Sequence, residues 1–111
     1  MNSGPNSVYR VEVMPRAARN LRLIYDSIGA ANSSHARGWF NGLEALILSL
    51  DQFPSRGMRT PEDHHFLHLL YGRRPHIYRI IYEIDEARRV VSVIHIRHGR
   101  RSVFEALAST H

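Results

Sequence analysis

The stretch from His76 to Arg101, HIYRIIYEIDEARRVVSVIHIRHGRR, decides the fold of this chain. Two runs rich in Val, Ile and Tyr flank a short polar segment, Asp85 to Arg88, which is the pattern of an antiparallel β-hairpin. The second run leads directly into the segment RHGRR at residues 97–101, the densest group of polar side chains in the sequence. Hydrophobic strands that end in cationic groups predict a rigid platform for a site that binds an anion.

The composition limits the class of protein. A chain of 111 residues with 43% hydrophobic and 23% charged residues predicts a single globular domain, which we place at residues 8–111 behind a disordered polar tail at residues 1–7. No apolar run approaches the ~20 residues of a membrane helix, and no signal peptide is recognisable, which predicts a cytoplasmic protein without membrane contact. Cysteine is absent, and His64, His65 and His68 lack a metal-binding spacing, so neither a metal nor another cofactor is expected.

The basic residues are all arginines. The formal net charge is +5, and the 15 basic residues include no Lys. The planar fork of donors in arginine matches phosphate and carboxylate groups, so an anionic partner is expected. The alternative is that arginine usage reflects genome composition and that many of these side chains are solvated surface. We favour that alternative for a subset: Arg10, Arg16, Arg19, Arg22, Arg88 and Arg89.

Ahead of the hairpin, the hydrophobic periodicity predicts a strand, two helices and a further strand. Residues 8–14 alternate apolar and polar side chains, as a half-buried strand does. Residues 15–29 begin with Pro, end with Gly and carry apolar side chains at helical spacing. A second helix is expected from a cap within residues 32–34 to Pro54, and residues 66–71 form a short buried strand. The apolar stripe of the first helix is Ala18, Leu21, Ile24, Tyr25 and Ile28, and that of the second is Ala36, Trp39, Phe40, Leu43, Leu46, Ile47, Leu50 and Phe53.

The complete element order predicts the fold class. Gly38 and Gly42 lie four residues apart in the second helix, where their shared face would let the first helix approach closely. Residues 102–110, after the hairpin, predict a short terminal helix. The order β-α-α-β-β-β indicates an α+β fold, with a helical hairpin packed on one face of a small, mainly antiparallel sheet. The other face of the sheet is expected to be more open.

The pairing of the hairpin strands assigns side chains to the two faces of the sheet. A loop of two or four residues gives the same parity, which places Ile80 opposite Val93 and Tyr78 opposite His95. These side chains share the face that is expected to take the helices, which we call the helix face. His95 would therefore be a hydrogen-bonded core residue rather than a catalytic one.

Arg79 projects, in this register, from the middle of the other face, which we call the open face. A charge in mid-strand costs stability unless it is paired or exposed for use, so Arg79 is the first candidate for a functional residue. A cross-strand salt bridge with Glu83, the nearest acid on that face, is the alternative interpretation. His98 is expected toward the edge of the open face, where a titratable group is accessible, although a histidine without a role fits equally well.

Two stretches, YRIIYEID at residues 78–85 and VIHIRHGRR at residues 93–101, resemble the RelE/ParE superfamily of toxins from type II toxin–antitoxin systems. The second stretch is similar to the recurring strand of that family that ends in His-Gly-x-Arg. The element order agrees over residues 8–107, and the resemblance is closest to the ParE-like branch. It implies the RelE/ParE fold and a plasmid-stabilisation type of toxin that inhibits bacterial growth.

The two branches imply different targets. The ParE branch implies a non-nucleolytic inhibitor of DNA gyrase, which needs a binding surface rather than a proton relay. The RelE branch implies a ribosome-dependent mRNA endonuclease, in which Arg79 would contact the scissile phosphate and His98 would transfer a proton. The chain departs from the RelE pattern, because it has no Lys and has Phe104 near the position of a terminal Tyr. Substrate or partner contacts are expected at Arg73, Arg74, Arg97, Arg100 and Arg101.

Either branch implies a cognate antitoxin as partner. An acidic, partly disordered antitoxin segment would fold along the basic toxin, and its ordering entropy would be offset by contact area. The alternative from another class of protein is a basic nucleic-acid-binding module without toxicity. No aromatic-rich stacking platform or recognition helix is recognisable in the sequence to support that alternative. We therefore expect a toxin that binds DNA gyrase, with an mRNA endonuclease as the second interpretation.

Overall fold

The computed structural model describes residues 8–98, in which two helices pack against one five-stranded sheet. The helices are α1 (Pro15–Ser27) and α2 (Ser34–Leu48). The strands are β1 (Arg10–Val13), β2 (Met58–Arg59), β3 (Leu67–Arg73), β4 (His76–Asp85) and β5 (Val90–His98). The predicted tail at residues 1–7 and the predicted terminal helix at residues 102–110 lie outside the described residues.

The sheet has the strand order β1-β5-β4-β3-β2. Strand β1 pairs in parallel with β5, and every other neighbouring pair is antiparallel. The predicted α+β fold and its β-α-α-β-β-β order are thus confirmed, with the two-residue strand β2 added between α2 and β3. Sequence periodicity missed β2 because two residues are too few to show an alternation. No helix within residues 8–98 is both long and apolar enough to cross a bilayer.

Local capping signals position the start of both helices and the end of the first. Pro15 is the first residue of α1, and Gly29 follows its C-terminus with a φ of 71°, a conformation that glycine adopts without strain. Ser33 caps α2, because its Oγ accepts a hydrogen bond from the Ala36 N–H at 3.1 Å. These boundaries agree with the predicted ones.

The end of α2 was predicted too late. The helix stops at Leu48, and the chain continues as a 3₁₀ turn at Ser49–Asp51 instead of running to Pro54. Because a 3₁₀ turn has three residues per turn, it rotates the following side chains away from the helical stripe. Phe53 was expected on that stripe but is 66% exposed.

The core lies between the two helices and the helix face of the sheet. Ala17 is completely buried and Ala18 is exposed, so the predicted stripe of α1 was wrong by one residue at this point. Two adjacent alanines are equally apolar, and only the packing of α1 on β5 decides which one is buried. The buried core cluster comprises Ala17, Ile24, Phe40, Leu43, Ile47, Leu50, Leu67, Ile80, Tyr82, Val91, Val93 and Ile96.

The two glycines of α2 do not form a shared contact with α1. A Cβ added to Gly42 would lie 2.3 Å from the hydroxyl of Tyr71, whereas nothing lies within 4 Å of a Cβ added to Gly38. The Tyr71 hydroxyl donates a hydrogen bond to the carbonyl of Trp39 at 2.6 Å. The expected close approach of α1 is therefore wrong, and Gly42 instead makes room for a tyrosine from β3.

A β-bulge changes the register of the main hairpin. Tyr82 lies opposite Val93, but the preceding residue, Ile81, lies opposite His95, so Ile94 is an extra residue on β5. A bulge of this kind inverts the side-chain parity of one strand relative to the other. Above the bulge, the pairs are already displaced by two residues from the prediction, because the hairpin closes with Asp85 opposite Val90. The bulge adds one more residue, so the predicted pairs of Ile80 with Val93 and of Tyr78 with His95 are wrong.

Below the bulge, the observed pairs are Ile80 with Ile96 and Tyr78 with His98. Ile80 and Ile96 both belong to the core, which places His98 on the helix face as well. His95, opposite Ile81, lies on the open face instead. Compared with the prediction, the inserted residue exchanges the faces of the sheet on which His95 and His98 lie.

The contrast between the two glycines predicts opposite effects of the same substitution. Gly38→Ala should raise the free energy of unfolding by up to about 1 kcal/mol, because alanine favours the helix and meets no neighbour. Gly42→Ala should lower it by about 1 kcal/mol, because the new methyl group displaces the Tyr71 hydroxyl from its hydrogen bond. Urea unfolding followed by circular dichroism measures both changes.

The double variant Gly42→Ala/Tyr71→Phe tests the cause. Without the hydroxyl group, the added methyl group has more room, so the two substitutions should be less destabilising together than the sum of their separate effects. Strict additivity of the two free-energy changes would contradict the proposed contact between Gly42 and Tyr71.

Candidate functional site

Arg79 occupies the centre of the open face, but its side chain is only 1% exposed. Its Nη1 donates to Oε2 of Glu62 and its Nη2 donates to Oε1, both at 2.9 Å. This bidentate pairing is the strongest geometry available to an arginine and a carboxylate. The expectation of an exposed Arg79 is therefore wrong. Its partner is also not Glu83, which instead contacts Nε2 of His65 at 2.6 Å.

The loop between β2 and β3 carries Glu62 over the open face. The Thr60 side chain is buried, its N–H donates to the Phe66 carbonyl at 2.9 Å, and its Oγ1 accepts from the Asp63 N–H at 3.2 Å. The Tyr82 hydroxyl accepts a hydrogen bond from the Gly57 N–H at 3.1 Å and so ties the residue before β2 to β4. Because the loop is held at several points, the carboxylate of Glu62 is presented to Arg79 in a defined position.

The electrostatics of the pair favour its charged form. The hydrogen bonds from Arg79 lower the pKa of Glu62 to about 2, and the charge of Arg97 acts in the same direction. Nδ1 of His68 lies 3.4 Å from Nη2 of Arg79, and burial together with the arginine charge lowers the pKa of this histidine. His68 is consequently neutral at pH 7 and can accept from the guanidinium. Nε of Arg79 is buried without a hydrogen-bond partner among the described residues.

The bulge places two further polar residues on the open face. Arg97 lies directly opposite Arg79 in the ladder, and His95 lies opposite Ile81. Burial lowers the pKa of His95, and the charges of Arg16 and Arg97 lower it further. Glu62 and His68 contact Arg79, and the charge of Arg79 also lowers the pKa of His95. Sequence reasoning missed all three as site residues.

His98 and Arg79 are not brought together. The His98 ring lies on the helix face, 5.2 Å from the ring of Tyr78 and 6.1 Å from that of His76, measured between centroids. Its Nδ1 is buried and has no hydrogen-bond partner within residues 8–98. The expectation that His98 lies beside Arg79 at the edge of the open face is therefore wrong, because the bulge precedes it in β5.

The arginines expected to contact a substrate or partner lie in different places. Arg73 and Arg74 are exposed at the turn between β3 and β4, and Arg97 is half-buried beside Arg79. Arg100 and Arg101 lie outside the described residues. The register puts the end of β5 at the same end of the sheet as the β3–β4 turn, since Tyr78 pairs with both Tyr71 and His98. Within residues 8–98, no group of three or more His or acidic side chains could hold a metal ion.

The pairing of Arg79 with Glu62 predicts a pH-dependent contribution to stability. Because the pKa of Glu62 is lower in the folded state than its usual value of 4.5, the pair stabilises the fold fully above pH 4.5 and loses this effect as the pH falls toward about 2. The destabilisation caused by Glu62→Gln should therefore be largest at neutral pH and shrink across that interval. Urea midpoints measured over this pH range test the prediction, with the exposed Glu44→Gln on α2 as control.

Removing either partner of the Arg79–Glu62 pair alone should lower the free energy of unfolding more than removing both. Glu62→Ala leaves the buried guanidinium unpaired and should cost on the order of 2 kcal/mol, less than for a fully buried pair because 41% of the Glu62 side chain is exposed. The double variant Glu62→Leu/Arg79→Leu leaves no buried charge and should recover much of that loss. A double variant less stable than Glu62→Ala would contradict the proposed energetic role of the pair.

The folded chain resembles solved structures of bacterial toxins. A chromosomal ParDE toxin–antitoxin system from P. aeruginosa matches with a TM-score of 0.66 and 17% identity, over 83% of this chain and 97% of that chain. A mutant of the E. coli toxin RelE in the free state matches with a TM-score of 0.57 and 16% identity, over 93% and 97%. The RelBE2 toxin–antitoxin complex from Mycobacterium tuberculosis matches with a TM-score of 0.54 and 20% identity, over 81% and 90%.

At these identities the structural matches show a shared fold. No curated protein sequence matches the chain. A family model, described as the ParE toxin of type II toxin–antitoxin system, parDE, matches residues 11–103. That match spans both helices and the whole sheet except the first residue of β1. The chain therefore belongs to the ParE toxin family of type II toxin–antitoxin systems.

Proposed function

We propose that this toxin inhibits bacterial growth by binding DNA gyrase, without cleaving nucleic acid itself. The proposal rests on the burial of Arg79 and on its pairing with Glu62. Both terminal nitrogens of its guanidinium donate to Glu62, and the side chain is almost completely buried. A nuclease needs cationic groups that can reach the charge developing on the scissile phosphate. The match to the ParE family model supports the same choice.

The mRNA-endonuclease alternative would require a rearrangement of the open face. Glu62 would have to leave Arg79, and the loop that carries it is held by the buried Thr60. His98, the expected proton donor, lies on the opposite face of the sheet from Arg79. In such a nuclease, the proton donor and the cationic group would have to reach the same scissile phosphate, which side chains on opposite faces of the sheet do not.

A gyrase inhibitor acts through a binding surface. Arg73 and Arg74 are exposed at one end of the sheet, and the end of β5 that leads to Arg100 and Arg101 lies at the same end. Together with Arg97, these arginines are the proposed partner-binding residues. Exposed charges of one sign accelerate association with an oppositely charged surface and make it dependent on salt. DNA held by gyrase presents such a surface.

The second proposed partner is a cognate antitoxin. The ParDE system and the RelBE2 complex are toxin–antitoxin assemblies, and this chain has their fold. A net charge of +5 favours an acidic partner segment. Large apolar side chains are also exposed on several elements of the described surface, and a partner segment that folds along the toxin would cover some of them. They are Leu23, Leu48, Phe53, Met58 and Leu70.

Induced expression of the full chain in a bacterial host tests the proposal. We expect growth arrest with induction of the SOS response, and inhibition of DNA supercoiling when the purified toxin is added to gyrase. Cellular mRNA should remain uncleaved, as judged by primer extension on abundant transcripts. Cleavage of mRNA on ribosomes would overturn the gyrase assignment, and unimpaired growth at high soluble expression would overturn the assignment as a growth inhibitor.

Matched variants separate the two mechanisms. Glu62→Leu/Arg79→Leu should retain toxicity if it remains folded, because a gyrase inhibitor does not use Arg79 chemically. Arg73→Gln/Arg74→Gln should weaken gyrase inhibition severalfold, because it removes two exposed charges from the proposed surface. A control that removes two exposed charges from α1, Arg19→Gln/Arg22→Gln, should inhibit gyrase like the unmodified chain. Loss of toxicity in the folded leucine variant would favour the endonuclease.

A further inference from the structure

An aromatic groove lies between the first half of α2 and the end of the sheet that carries the β3–β4 turn. It consists of two adjoining cavities of about 380 Å³ and 590 Å³, both lined by His35, Trp39 and His76. Tyr78 lines the smaller cavity and Tyr71 the larger one. Volumes of this size are typical of sites for small ligands. The gyrase proposal involves Arg73 and Arg74 at the rim of this groove but none of its aromatic side chains.

The rings of the groove are held in place by one another. The Trp39 ring centroid lies 5.0 Å from that of Tyr71 and 5.6 Å from that of Tyr78, in edge-to-face arrangements. The hydrogen bond from the Tyr71 hydroxyl to the Trp39 carbonyl fixes the first pair further. His98 extends the row, because its ring lies 5.2 Å from that of Tyr78. The tertiary structure thus assembles the aromatic platform that was not recognisable in the sequence.

The rim of the groove is cationic. Arg73 and Arg74 line the larger cavity and are exposed, and neither forms an ion pair with any residue in the described part of the chain. His35 and His76 are exposed beside them. Among residues 8–98, no acidic side chain lines either cavity. A ligand that enters the groove therefore meets aromatic surface below and unneutralised guanidinium groups at the edge.

We propose that the aromatic groove binds nucleotides of a single nucleic-acid strand. The bases would stack against exposed surface of Trp39 and Tyr71, and the phosphates would lie at Arg73 and Arg74. Aromatic surface accepts any base, and guanidinium groups match phosphate oxygens, which is the combination that single-strand-binding proteins use. An acidic peptide fits less well, because an amphipathic segment needs an aliphatic floor. Among residues 8–98, only Ile28 and Ala36 contribute aliphatic side chains to the lining of the cavities.

The intrinsic fluorescence of the protein reports on this site, because Trp39 is its single tryptophan. The purified full-length toxin is titrated with fluorescently labelled 12-nucleotide strands of dT and of rU, and both tryptophan emission and anisotropy are followed. We expect binding that quenches Trp39 in step with the rise in anisotropy. The two strands distinguish a DNA from an RNA ligand, since both contain the same phosphates and comparable bases.

Variants locate the ligand. Arg73→Gln/Arg74→Gln should weaken binding by about tenfold at low salt, and should reduce the slope of log affinity against log salt concentration by about 1.4, about 0.7 for each phosphate contact. Arg19→Gln/Arg22→Gln, which removes the same charge from α1, should leave both quantities nearly unchanged. These four arginines are exposed, so the variants should fold, as circular dichroism can verify.

Several outcomes would overturn the proposal. They are an absence of binding at low salt, binding that leaves Trp39 emission unchanged, and equal losses in the two arginine variants. Tighter binding of a 12-residue acidic peptide, with quenching of Trp39, would assign the groove to a protein partner instead. Gyrase is absent from the titration, so its result is independent of the proposed inhibition of that enzyme.

Discussion

One inserted residue in the last strand determines which side chains of this protein can act together. Ile94 interrupts the ladder between β4 and β5, so that the side-chain parity of β5 before the bulge differs from the parity after it. Below the bulge, Ile96 completes the core, Arg97 joins Arg79 on the open face, and His98 passes to the helix face. Without the insertion, Ile96 would point away from the helices.

The charged side chains at the centre of the open face therefore stabilise the fold. A guanidinium in mid-sheet would be costly if buried alone, and Glu62 offsets that cost with two hydrogen bonds. Arg79 is only 1% exposed, so its guanidinium is not accessible in this arrangement, whereas Arg97 beside it is half-buried. This arrangement is consistent with a toxin that acts by binding, because binding surfaces at the rim of the sheet do not require a reactive centre.

The β3–β4 turn contributes to both proposed binding surfaces. Its arginines belong to the proposed partner surface and also form the rim of the aromatic groove. A protein that contacts gyrase while gyrase holds DNA would meet both a protein and a nucleic acid, and this end of the sheet presents surfaces of suitable chemistry for each. The rings of Trp39, Tyr71 and Tyr78 come from three separate elements, so their proximity depends on the packing of α2 against β3 and β4.

The sequence by itself determined the order of the predicted elements, the start of both helices, the end of the first helix, the existence of the hairpin and the family. These features depend on local periodicity, on Pro15, Gly29 and Ser33, and on short motifs, all of which are readable along the chain. Only the tertiary structure decided the faces. A bulge shifts parity without changing composition, the partner of Arg79 arrives from a loop 17 residues away, and the groove unites rings that are distant in sequence. Such contacts are non-local, and periodicity in one segment carries no information about them.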